Sequence, residues 1–262
     1  VRLNDRWKRK EKKFPGEMYW IGAGTIAAGA AVLSTGVAAF VADAKAGGAK
    51  AYGYKQLDIA EVGRIAHETY FTKFCAETVM TGLFNPLANS VGEPYVSFPL
   101  NSIFWAHGGM MGWGTGCGTL IGAGMAVGLI TGGSKDGEAI INDVITYYAD
   151  TELPAYKPPQ GQEKAEILNT SMADTPLCHI SVGKWMKKEN VGFFTTERKE
   201  RCARLSADIA MYTAQLLNEW AAGNYKPRNK PLANVMGNQI TGQGNCGDCH
   251  GDNIPALPGR KT

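Results

Sequence analysis

Apolar positions recur every three to four residues in four segments of the chain, and no stretch of useful length alternates apolar with polar, so the body reads as an all-α helical bundle. The first segment runs from about Gln56 to Leu83, carries Val62, Ile65, Phe71, Phe74, Cys75 and Val79 along one stripe, and stops before Pro86. A loop with Pro94 and Pro99 leads into Gly108 to Gly133, uncharged and long enough to cross a bilayer. Nine glycines between Gly112 and Gly133 suit close packing inside a protein, and this stretch is read as a buried helix. A third run starts near Asp136 with Ile140, Ile141, Val144, Ile145 and Tyr148, and Pro154, Pro158, Pro159 and Gly161 mark the loop after it. Thr175 and Pro176 resemble a helix cap and first helical residue, which places Cys178 in the first turn of a short helix holding Val182 and Trp185. The last long helix spans about Glu197 to Ala222, with Cys202, Leu205, Ile209, Tyr212, Leu216 and Trp220 on one face.

Ahead of this body, Met18 to Ala42 is a run of 25 uncharged residues, longer than a hydrocarbon core of about 30 Å requires. Ala42-Asp43-Ala44 would suit a signal-peptide cleavage site, but the apolar run exceeds the usual signal core of about 7 to 15 residues, so a retained transmembrane anchor is expected. Basic residues before it and few after it place the amino terminus in the cytoplasm and the body on the periplasmic side of the cytoplasmic membrane. The small residues of this helix fit both a membrane partner and a lone anchor. The expected organisation is a basic tail over 1–17, an anchor over 18–42, a linker over 43–55, a four-cysteine helical domain over 56–222 and a polar, glycine-rich and proline-rich arm over 223–262.

A hydrophobic fraction of 44% rules out disorder as the main state. The formal charge of +3 divides into +4 over residues 1–17 and −1 over the remainder, so no basic face for nucleic acid is expected on the body.

The arm carries Cys246-Gly247-Asp248-Cys249-His250, the attachment pattern of a c-type haem. Two thiols three positions apart reach the two vinyl groups of one porphyrin, and the adjoining imidazole meets the iron from the same side. A redox Cys-x-x-Cys would want a strand-helix context, and half a zinc site would want further ligands nearby; neither is present. One haem c per chain follows, bound by Cys246, Cys249 and His250. Only 12 residues of the sequence come after His250, so the second axial ligand is sought upstream or on another chain, with His67, His107 and His179 as candidates ahead of the methionines. Cys75, Cys117, Cys178 and Cys202 remain, one on each of four predicted helices. Their spacing does not separate two disulfides, a four-thiolate metal site and four buried thiols. Two glycine-rich runs, Gly22 to Ala27 and Gly242 to Gly247, lack the preceding strand that a dinucleotide loop needs.

Cys75, the run Gly114-Thr115-Gly116-Cys117-Gly118-Thr119-Leu120-Ile121-Gly122-Ala123, the run Pro176-Leu177-Cys178-His179-Ile180-Ser181-Val182 and the run Arg201-Cys202-Ala203-Arg204-Leu205-Ser206-Ala207-Asp208 resemble the C-GCAxxG-C-C redox proteins. With the terminal haem motif, residues 56 to 262 resemble the split-Soret cytochromes c. The resemblance implies a mostly helical fold, an iron–sulfur cluster of the [2Fe-2S] kind on Cys75, Cys117, Cys178 and Cys202, and a dimer with closely stacked bis-histidine haems. Three departures stand out. The resembled cytochromes carry two haems per chain, whereas Thr175 stands where Cys178-His179 would need a first cysteine; Gly118 replaces the alanine of the central motif; and the apolar amino-terminal segment is extra.

The function expected from all of this is electron transfer on the periplasmic side by a membrane-anchored haem c protein with an iron–sulfur cluster, working with redox protein partners as a homodimer or a subunit of a membrane complex. No catalytic residue is evident. Two alternatives are a haem-dependent reductase with an open iron position and a structural accessory subunit of a respiratory or photosynthetic complex.

Overall fold

The computed structural model describes residues 51–228, and they are mostly helical. Five α-helices follow one another: α1 (Ile59–Ser90), α2 (Gly118–Thr131), α3 (Lys135–Asp150), α4 (Cys178–Glu189) and α5 (Thr196–Ala221). A 3-10 turn (Leu100–Ile103) lies between α1 and α2. The core forms where α1 lies along α5 and α2 packs on both. Its largest buried side chains include Tyr70, Phe84, Leu83, Leu87, Ile130 and Ile140.

Local chemistry accounts for most of the boundaries. Asp58 opens α1 by accepting from the backbone N–H groups of Ala60 and Glu61, Ser134 opens α3 by accepting from Gly137, and Thr195 opens α5 by accepting from Arg198. The left-handed Gly132 ends α2. Pro86 does not stop α1, contrary to expectation. The helix continues because one lost ladder bond is outweighed by burial of Leu87, which has no exposed surface. The break occurs earlier, at Phe74, whose φ of 58° and ψ of −166° interrupt the helix directly before Cys75.

The glycine-rich stretch is only half a helix. From Gly108 to Gly114 six residues take positive φ, Met110 and Met111 among them, and the segment closes on itself through Gly114 N–H to Gly108 O (3.0 Å) and Thr115 N–H to Gly109 O (3.1 Å). A right-handed helix cannot pass through such a backbone, so α2 begins only at Gly118. Its helical part is buried as expected. Gly122 shows why it is glycine: a Cβ there would stand 2.4 Å from the carbonyl oxygen of Ala76 on α1.

Two expectations about architecture are corrected. The body is not purely helical, since Glu152–Leu153 pairs antiparallel with Ser171–Met172 and closes the proline-rich loop between α3 and α4. The bundle with a transmembrane helix, and with it the placement at the cytoplasmic membrane with a periplasmic domain, is withdrawn: no helix of the described residues is long and apolar enough to cross a membrane. The expected span Met18 to Ala42 and the haem motif both lie outside the described residues. Of the expected arm, the described part up to Arg228 is fastened to the body, with the Tyr225 hydroxyl and Arg228 N–H donating to Asp143 on α3.

Candidate redox centre

The four cysteines outside the haem motif are buried, and none is in a disulfide. They come from four places in the fold, reached by different means. Cys75 follows the Phe74 break in α1. Cys117 is not inside a helix but caps the start of α2, in extended conformation. Cys178 is the first residue of α4, two positions later than a Thr175 cap would give: Leu177 is the capping residue, and Thr175 Oγ1 accepts from Leu177 N–H at 3.4 Å. Cys202 lies in the second turn of α5.

Backbone pairing sets Cys117 and Cys178 side by side. Cys117 N–H donates to Pro176 O (2.9 Å), Cys178 N–H to Thr115 O (2.7 Å) and His179 N–H to Gly114 O (3.1 Å). Two helix starts therefore meet, and both cysteines sit where the partial positive charge of a helix end favours a thiolate. Glycines bring the remaining partners close. A Cβ on Gly118 would lie 2.0 Å from Ala106 O and 2.6 Å from the Cβ of Cys75, and one on Gly109 would lie 2.8 Å from the Cβ of Cys178. Only glycine fits at these two contacts. The Gly108 backbone N–H donates to Cys75.

Cys75, Cys178 and Cys202 line one wall of a cavity of about 440 Å³, and His107 and His179 line it with them. Cys117 stands behind that wall, hydrogen-bonded to Cys178 and 3.2 Å from the Thr119 hydroxyl. Phe74 covers part of the cavity with its ring 5.4 Å from that of His107. Of the three histidines singled out as distal haem ligands, the structure thus places two at the cavity and one away from it. His67 is buried between α1 and α5, its Nε2 3.0 Å from Glu200 Oε1.

The thiols influence one another strongly. The hydrogen bond from Cys178 lowers the pKa of Cys117 to about 6, outweighing burial and aided by the Thr119 hydroxyl. That same bond, followed by burial, pushes Cys178 up. Burial, with Cys117 and Cys202 adding to it, pushes Cys75 up to about 12. Tyr70 is also raised, by burial first and then by Cys202 and Cys75. Such opposed shifts of Cys75, Cys117 and Cys178 are what closely packed thiols show when more than one negative charge cannot be tolerated without a counter-charge.

Next to them lies a cation that sequence reading did not single out. Arg201 is 1% exposed, and its Nη2 donates to Ser181 Oγ (2.8 Å) at the start of α4. Its Nε and Nη1 have no partner among the described residues. The signal was available: Arg201 stands one turn before Leu205, on the side of α5 that faces the core.

A metal centre is tested by these residues rather than by fold alone. Among the described residues no three His, Cys, Asp or Glu side chains form a ready cage for a metal ion. The donor set is nevertheless all thiol, buried and free, with a backbone amide directed at the Cys75 sulfur and a buried cation hydrogen-bonded to Cys202. Soft thiolates are what iron–sulfur clusters use, and the sulfurs on two different irons stand farther apart than the ligands of one ion. The residues fit such a group.

Known proteins resemble this chain. Residues 73–216 match the model of the family described as "Putative redox-active protein (C_GCAxxG_C_C)". Over 244 residues the chain is 30% identical to split-Soret cytochrome c of Desulfovibrio desulfuricans, covering 87% of this chain and 84% of the relative. The solved structure described as "A novel iron centre in the split-Soret cytochrome c from Desulfovibrio desulfuricans ATCC 27774" superposes with a TM-score of 0.65 at 30% identity, over 79% of this chain and 86% of that one. The chain belongs to the C_GCAxxG_C_C family of redox-active proteins and is a relative of split-Soret cytochrome c.

Proposed function

We propose that the protein is an electron carrier with two redox groups: a haem c attached through Cys246 and Cys249 with His250 as an axial ligand, and an iron–sulfur cluster held by Cys75, Cys117, Cys178 and Cys202. The observation that carries this reading is the gathering of four free, buried cysteines from four separate segments, three on a cavity wall and Cys117 behind it, hydrogen-bonded to Cys178. The relative's iron centre supports it. When bound, these groups supply one-electron chemistry.

The chain's own contribution is positioning and electrostatics. Gly109 and Gly118 admit the close approaches to Cys178 and Cys75, and the Cys117–Cys178 pairing keeps two ligands in register. Phe74, Tyr70 and Met186 line the same cavity as Cys75, Cys178 and Cys202 and give it an apolar side. His107 and His179, on that wall, are the proposed sources of a second axial ligand, ahead of His67, whose Nε2 is engaged by Glu200. Exposed Trp113 and Phe194, each next in sequence to cavity-wall residues, and Phe104 support docking of a redox protein or a second copy of the chain.

Purified full-length protein tests the haem half. Wild type is expected to carry one covalently attached haem per chain, and Cys246→Ser together with Cys249→Ser to abolish it while non-haem iron is retained. A wild-type chain without covalent haem would refute the assignment.

A further inference from the structure

A buried guanidinium is among the most costly groups to leave incompletely paired. Arg201 is fully charged at any ordinary pH, is 1% exposed, and is hydrogen-bonded through Nη2 to the hydroxyl and carbonyl oxygens of Ser181, with the Cys202 thiol a further hydrogen-bond partner. Nε and Nη1, also buried, lack partners among the described residues. Among the described residues no carboxylate lies within ion-pair distance of it: Glu200, its neighbour in sequence, is turned toward His67 and Arg204, and the buried Asp208 feels its charge only from farther away. What does surround the guanidinium is the cysteine site. Cys202 is adjacent in the chain, Ser181 lies three residues after Cys178, and the groups that favour its charge against the opposing effect of burial are Cys202, Tyr148 and Cys117. Arg201 is not part of the cavity wall, so it reaches the cysteines from the protein side, away from solvent.

We propose that Arg201 is the built-in counter-charge of the four-cysteine centre, with Nε–H and Nη1–H directed at its sulfurs, and that it sets the potential of that centre. The inference rests on the reading that the four cysteines hold an iron–sulfur cluster. A cluster on four thiolates is anionic and gains a further negative charge on reduction. A fixed cation buried beside it favours the reduced form, because screening by water is absent there. Arg201 is a positioning residue in this role; it exchanges no electron.

The test measures non-haem iron, acid-labile sulfide and the midpoint potential of the non-haem centre in full-length wild type, Arg201→Gln, Arg201→Lys and Arg198→Gln. Arg198 serves as the control cation: it lines the cavity, but its Nε donates to Phe193 O and solvent reaches it. Arg201→Gln is expected to retain iron and sulfide and to lower the potential by at least a tenfold change in the oxidised-to-reduced ratio, 59 mV for a one-electron couple. Arg201→Lys, which keeps the charge, should restore most of that shift, and Arg198→Gln should produce far less. An Arg201→Gln centre with full iron content and an unmoved potential overturns the inference while the cluster stands. If Arg201→Gln does not fold, an Arg201→Lys centre with full iron content and a potential 59 mV or more below wild type overturns it. A wild type without non-haem iron and sulfide instead removes the underlying reading.

Discussion

Glu200 and Arg201 are neighbours on α5, both buried, and they differ in one respect. Glu200 is saturated: His67 and the Nε of Arg204 meet its Oε1, and the Lys164 N–H donates to its Oε2. Arg201 uses one of its three nitrogens. A buried carboxylate with every partner in place is a clamp, here tying α1 to α5 and to the loop before α4. A buried guanidinium with two nitrogens unused is directed at chemistry the polypeptide alone does not satisfy. The contrast separates what holds the fold from what serves the cysteine site.

Breaking the saturated side should have the largest effect on stability. Glu200→Ala strands His67 and Arg204 and is expected to cost about 3–5 kcal/mol in urea unfolding. An unfolding midpoint equal to wild type would mean that the clamp is ornamental.

A second buried carboxylate on α5 sharpens the comparison through pH. Asp208 accepts from the N–H groups of Ala155 and Tyr156, yet burial dominates and raises its pKa from 3.8 to about 7. The folded chain thus holds a proton that the unfolded chain releases. Stability from this group is fully present below pH 3.8 and is lost as pH rises through the window up to about 7, by a few kcal/mol at most on the order of the linkage relation. Asp208→Asn should flatten that slope in denaturant titrations run across the window; an unchanged slope would assign it to other groups.

Smaller effects are expected from the packing that carries the cysteines. Gly122→Ala pushes a Cβ toward the Ala76 carbonyl and should cost about 1–3 kcal/mol, read from the thermal midpoint, together with some loss of bound iron. Thr119→Val removes only the hydroxyl beside Cys117 and should cost about 1 kcal/mol in the same assay. Equal costs for the two would show that close helix approach is not what Gly122 provides.

How far these features could be read in advance depended on whether they follow the helical period. α3 and α5 were legible to within a residue or two because their apolar stripes and caps agree. The first-turn position of Cys178 was legible from Thr175 and Pro176, although the cap itself falls on Leu177. The resemblance grouped the four cysteines, whose long spacing could not. The loop from Gly108 to Gly114 was hidden because an uncharged, glycine-rich run has the same pattern whether helical or folded back on left-handed backbone. Phe74 was hidden for another reason: it lies on the apolar stripe, and nothing local marks a residue forced into positive φ. Arg201 and Glu200 were visible as charges within a core-facing helix, but which one would be saturated depended on partners more than a hundred residues away, such as His67.

Non-haem iron and acid-labile sulfide, counted per chain on the purified full-length protein, test the central assignment most directly. The account predicts about two of each per chain, as a [2Fe-2S] cluster requires, with both lost in Cys117→Ser while covalent haem remains. Haem iron alone, with four freely titrating thiols in the unfolded protein, would contradict it.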